Sequence, residues 1–205
     1  VSEEAKSLIT ERIARYGIDC DLKPGQLVCA PRQRHISHLA HEHETLARYG
    51  YDRTTLLSRP ELEERLGTTA YCGALKDDGA SHFHPLNYAI GLARALKEEG
   101  GLIFENSRVV EIRNGPRPVV ATGKGSVRAR FVVMACNAYI DGLNRRLDSH
   151  IMPVASYVVT TEPLGDNRAR SLIRDDEAVA DANFVVDYFR LTADRRLLFG
   201  GRCSS

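Results

Sequence analysis

From Ser2 to Gly17 the apolar residues Ala5, Leu8, Ile9, Ile13 and Tyr16 recur at three- and four-residue intervals, the period of one helix face. Ser2 can cap this helix, Glu3 and Glu4 suit its positive end, and Gly17 can close it in the left-handed conformation. The turn Lys23-Pro24-Gly25 leads into a short strand from Gln26 to Ala30. Residues 31 to 49 return to helical spacing, with Ile36, Leu39, Ala40 and Leu46 as the stripe to be buried. Ser58 and Glu61 have the spacing of a capping box, for a short helix closing at Gly67. Tyr71 to Leu75 reads as a strand. The clearest helix starts at His84-Pro85, repeats Leu86, Ile90, Ala93 and Leu96, and stops at Gly100-Gly101. Strands are predicted at Leu102 to Phe104, Arg108 to Ile112, Val119 to Thr122 and Val127 to Met134. Beyond Ile151 three more follow, at residues 152 to 161, 184 to 191 and 196 to 200. The fold class is α+β, without internal repeats or low-complexity segments.

Composition narrows the partners. A formal net charge of +1 over 205 residues gives no general attraction to nucleic acid or to an anionic membrane. No apolar run approaches the roughly 20 residues that span a bilayer, and no signal-peptide pattern opens the chain. The five cysteines, Cys20, Cys29, Cys72, Cys136 and Cys203, are scattered and form no C-x-x-C pair. Reduced thiols and a cytoplasmic location follow. The first residue is Val, which suits a fragment of a longer protein.

Side chains with chemistry are numerous but seldom clustered. His35, His38, His41 and His43 crowd one predicted helix, yet they drift around its axis, so a solvated polar face outweighs a metal site. Pro85 interrupts any extended pairing of His82 with His84; a place near a pocket mouth and a helix-start role are both open. Cys136 follows a strand, where a thiol's pKa can fall, but a small residue at a tight junction is the simpler reading. Arg32, Arg34, Arg128, Arg130, Arg145 and Arg146 are interspersed with acids and lack the aromatic spacing of a single-strand binder.

The order of HFHPLNYAIGLARA, VVMACNAY, SYVVTTEPL and DYFRLTADRRLLFGGR resembles FAD-dependent amine and amino-acid oxidoreductases of the D-amino-acid-oxidase superfamily, nearest to its gamma-glutamylputrescine oxidase subgroup. The resemblance spans nearly the whole chain. It implies a split FAD-binding domain, with 1–17 and 79–149 as its remnant. It also implies a substrate domain, residues 18–78 and 150–205, on an antiparallel sheet. The implied reaction oxidises a C–N bond of a small amine or amino acid by hydride transfer to the flavin.

The same resemblance assigns residues. Val109 offers its backbone to the adenine end of FAD, and small residues at Ala135, Cys136 and Asn137 permit close approach to the cofactor. Gly200 and Gly201 pass near the flavin ring. Tyr157, Tyr188 and Arg190 converge on one concave surface and contact substrate. Each also reads as ordinary β-packing, and a non-catalytic α+β ligand-binding or interaction module is the alternative. No G-x-G-x-x-G occurs in the 205 residues. The chain is therefore expected to be a central piece that does not hold FAD alone. Its exposed flavin-domain surface would favour a homodimer.

Overall fold

The structure is a computed structural model that describes residues 2 to 201. Arg202, which ends the last quoted motif, and Cys203 lie outside the described residues. The chain divides into two units, residues 1–95 with 156–205, and residues 96–155.

The first unit is built on a seven-stranded sheet. Its strands are β1 (Lys23–Cys29), β2 (Thr54–Ser58), β3 (Gly73–His82), β7 (Tyr157–Thr160), β8 (Ala178–Asp181), β9 (Tyr188–Leu191) and β10 (Leu197–Gly201), in the order β2-β3-β1-β8-β9-β10-β7. Every neighbouring pair is antiparallel except β1 with β8, where Leu27 faces Val179 in parallel register. The sheet is thus mixed, a correction to the antiparallel expectation. Two strands far apart in sequence can pair in parallel because the intervening chain supplies a long crossover.

Helices cover this sheet where sequence gives them an apolar stripe. α3 (Arg59–Glu63) begins as expected: Glu61 accepts from the Ser58 backbone N–H at 2.8 Å and from the Ser58 hydroxyl at 2.5 Å. Leu62 on α3, Leu66 after it, and Ala169 of α6 (Asp166–Leu172) with the following Ile173 close over Leu27, Cys29, Ala74, Val179 and Leu191. On the opposite face Leu39 of α2 (Gln33–Arg48) packs with Ala30 and Leu75. α1 (Ser2–Arg15) buries no residue, and Ile9, Ile13 and Tyr16 are half-covered.

α4 (Pro85–Glu98) has the expected ends but a different buried face. Gly91 and Ala95 are buried, whereas Leu86, Ile90 and Leu96 are exposed. The reason is spatial: a Cβ on Gly91 would stand 2.4 Å from Ile18 Cγ2, so the small-residue face makes the close contact.

The second unit holds a three-stranded antiparallel sheet, β4 (Val109–Arg113), β5 (Val119–Thr122) and β6 (Gly125–Arg128), and the short helix α5 (Arg145–Asp148) capped by Asn144. The predicted strands at 102 to 104 and beyond Arg128 are not in any ladder. Residues 131 to 136 nevertheless alternate, with Phe131, Val133 and Ala135 exposed and Val132, Met134 and Cys136 half-buried. They have the sidedness of a strand without a partner.

Candidate functional site

Within the second unit, β4, β5 and the alternating segment enclose a cavity of about 870 Å³. Val109, Ile112 and Val120 form one wall, and Val132 to Cys136 form another. Val109, Ala135 and Cys136 line one cavity, but only Val109 sits in a ladder, so the neighbouring strands expected for the two segments are not formed. Asn137 is not part of the wall; its backbone turns there with φ 49°. Arg108 at the rim is held by an ion pair with Asp141. The walls are mostly apolar, with small residues at Ala135 and Ala138, and Arg108, Asp141 and Asp148 add charge to the lining.

The first unit contributes the other candidate surface. Tyr188 and Arg190 point to the same side of β9. Across the ladders Tyr188 opposes Gly200 and Ala180, while Gly200 opposes Val158. Tyr157 opposes Gly201 and so points to the other side, together with Val159, Phe199 and Phe189. The expected convergence of Tyr157 with Tyr188 and Arg190 is corrected by this register. Alternation within a strand could be read from sequence, but parity between strands depends on pairing. Phe189 and Phe199 stack on the Tyr157 side with centroids 5.9 Å apart.

Several polar groups that sequence reasoning passed over shape this surface. Asp181 is buried and holds the β8–β9 loop: its carboxylate accepts from the backbone N–H groups of Asn183 and Asp187 and from the Asn183 amide. The loop tip, Phe184, is fully exposed. His82 is buried, and its Nε2 donates to the Asp176 carbonyl at 2.8 Å. This bond fixes the neutral tautomer with the lone pair on Nδ1, which has no partner among the described residues. Burial lowers the His82 pKa, and the charges of Arg190 and Lys23 push the same way. Asp176 also receives Lys23 at 2.6 Å and Arg195 at 3.0 Å. Glu177 is buried beside Arg65 at 3.1 Å, and burial raises its pKa despite that partner. In sequence these two residues stand only as part of the acidic run Asp175-Asp176-Glu177.

Two further histidines and one cysteine have structural explanations. His84 accepts from the Asn87 backbone N–H at 3.2 Å, a helix-start role. His43 bonds the buried Thr54 hydroxyl at 2.7 Å. No group of metal-binding side chains occurs among the described residues. Burial pushes the Cys29 thiol up to about 12, which removes it as a nucleophile near neutral pH. No helix among the described residues is long and apolar enough to cross a membrane.

Comparison with known proteins decides the family, because the description of the FAD dependent oxidoreductases matches residues 1–205. The chain belongs to that family. Gamma-glutamylputrescine oxidoreductase of Escherichia coli (strain K12) is 42% identical over 199 residues, covering 97% of this chain and 47% of the relative. A probable oxidoreductase, OrdL, of Haemophilus influenzae is 40% identical over 216 residues, covering 100% of this chain and 49% of the relative. The chain spans about half the length of the curated relatives it matches. Among solved structures, glycine oxidase from Geobacillus kaustophilus superposes with a TM-score of 0.76 at 22% identity, covering 98% of this chain and 53% of that one. At that identity the likeness speaks for the fold.

Proposed function

We propose that the protein containing this chain oxidises a C–N bond of a small amine or amino acid with FAD, and that a γ-glutamylated diamine is its substrate class. The observation that carries this reading is 42% identity to gamma-glutamylputrescine oxidoreductase across nearly the whole chain. Bound FAD would supply two-electron chemistry, taking a hydride from the carbon beside nitrogen and leaving an imine that water hydrolyses.

The candidate residues of this chain then take two roles. The cavity walls at Val109 and Ala135 to Cys136, with Asn137 beside them, receive the adenine end of FAD. Support comes from the apolar lining and the small side chains, which permit close backbone approach. The resemblance assigns residues 1–17 and 79–149 to the flavin domain and the rest to the substrate domain, a division that differs from the two compact units because 1–17 and 79–95 lie in the first. The Tyr188 and Arg190 side of the sheet receives substrate. Arg190 is half-buried and, among the described residues, donates only to the Leu191 carbonyl at 3.2 Å, so its guanidinium is available to an anionic group. A γ-glutamyl group carries such a carboxylate. Tyr157 and Gly201, on the other side, stay outside this contact set.

The test is the full-length protein purified with its flavin. Oxidation of γ-glutamylputrescine, followed by acceptor reduction together with bleaching of flavin absorbance, should exceed that of free putrescine by at least about tenfold, the size of one lost polar contact. Equal rates on both amines would overturn the γ-glutamyl assignment. Absence of bound flavin would overturn the reaction class.

A further inference from the structure

Gly200 sits at the centre of the candidate substrate face, and space rather than backbone conformation explains the glycine. Its φ lies outside the left-handed region, so an L-residue could adopt the same backbone. A Cβ there would stand 2.2 Å from Tyr188 Cζ, 2.3 Å from Cε2 and 2.5 Å from Oη. Gly200 faces Tyr188 directly across the β9–β10 ladder. The ring therefore lies flat over β10, directly above the missing side chain, instead of standing up from the sheet. This arrangement puts the phenol oxygen above β10 rather than above its own strand. Tyr188 Oη has no hydrogen-bond partner among the described residues, and Arg190 on the same face has no ion pair among them. Two polar ends thus share one side of the sheet, and one is held in place by an absence.

We infer that Gly200 is a specificity-determining, positioning residue: the missing side chain fixes the Tyr188 phenol flat over β10 and thereby sets where this face contacts substrate. The inference rests on the substrate role proposed for that face, but its mechanical half does not. Gly201 behaves differently, since a Cβ there would meet Asp187 Oδ1 at 2.6 Å and not the Tyr188 ring.

The experiment is a double-mutant cycle in the full-length holoenzyme with Gly200→Ala, Tyr188→Val and their combination. An added methyl against a fixed ring should raise KM about tenfold in the Tyr188 background, with kcat and flavin content nearly unchanged. The same methyl should change KM less than about twofold once Tyr188 is valine. A melting curve provides a check independent of substrate: Gly200→Ala should lower Tm, and Tyr188→Val should remove most of that added loss. With 13C-labelled tyrosine, Gly200→Ala should shift the Tyr188 ring resonance, whereas Gly201→Ala should leave it in place. Additive effects on both KM and Tm would overturn the inference. So would equal loss of flavin on Gly200→Ala in both backgrounds, which would make Gly200 a cofactor contact. If the wild-type protein oxidises no amine, the proposed function fails, while the coupling in Tm and the ring resonance still decides whether Gly200 positions Tyr188.

Discussion

The two units of this chain use similar residues to opposite effect. In the first, Leu27, Leu39, Leu62, Leu66, Ile173 and Leu191 are almost wholly buried, on both sides of a seven-stranded sheet. In the second, Ile140 is the only buried residue between Leu96 and Ala155, while Phe131 and Val133 are 83% and 87% exposed. Apolar content does not separate them. Partners do: β1 has a strand on each side and helices above and below, whereas the segments around Phe104 and Val133 lie in no ladder. A hydrophobic residue stabilises only when another surface covers it. Large exposed apolar surface of this kind belongs where further protein would dock.

The comparison would break most visibly if the 205-residue chain held its cofactor alone. Ordering a large ligand costs an estimated 4–15 kcal/mol or so, and the printed sequence lacks the glycine-rich turn that would place pyrophosphate at a helix N-terminus. Titration of this chain with FAD should therefore show no saturable change in flavin fluorescence at micromolar concentration. Stoichiometric micromolar binding would mean that the cavity beside Val109 is sufficient.

A second test compares cavity-forming substitutions. Leu27→Ala removes a fully buried side chain from the first unit and should cost about 2–5 kcal/mol in denaturant unfolding. Val133→Ala alters an exposed side chain in the second and should stay within about 0.5 kcal/mol. Comparable losses would show that Val133 is covered in solution, most simply by a second copy of the chain.

How legible this was from sequence follows the same division. Helix ends were readable because Pro85, Gly100 and the Ser58–Glu61 pair act locally. The buried face of α4 was misjudged because Leu86 and Ile90 follow the period, yet Gly91 and Ala95 make the contact. β8 carries little signal in sequence, since Ala178–Asp181 is four residues long with an acidic end and parallel pairing with β1 gives it its place. The grouping of Val109, Ala135 and Cys136 came from the resemblance alone, since alternation would put Ala135 and Cys136 on opposite sides. The parity that separates Tyr157 from Tyr188 could not, because a one-residue change of register reverses it.

The smallest expected effect concerns acid, and it should be confined to the first unit. His82 is buried, and that burial disfavours its charged form in the folded protein. Burial is the main cause of its lowered pKa, and Arg190 on β9 and Lys23 on β1 add repulsion. The Asp176 carbonyl and carboxylate oppose them only in part. The unfolded chain takes up this proton near the ordinary histidine value of about 6.5, before the folded chain does. Unfolding is therefore favoured as pH falls from about 6.5 toward the lowered folded value, and the full contribution is present above that range. Urea unfolding between pH 7.5 and 5 should show this loss in signals from the seven-stranded sheet, with His82→Gln flattening the slope. An unchanged slope in His82→Gln would assign the acid sensitivity to other groups, with the buried Glu177 next to be replaced.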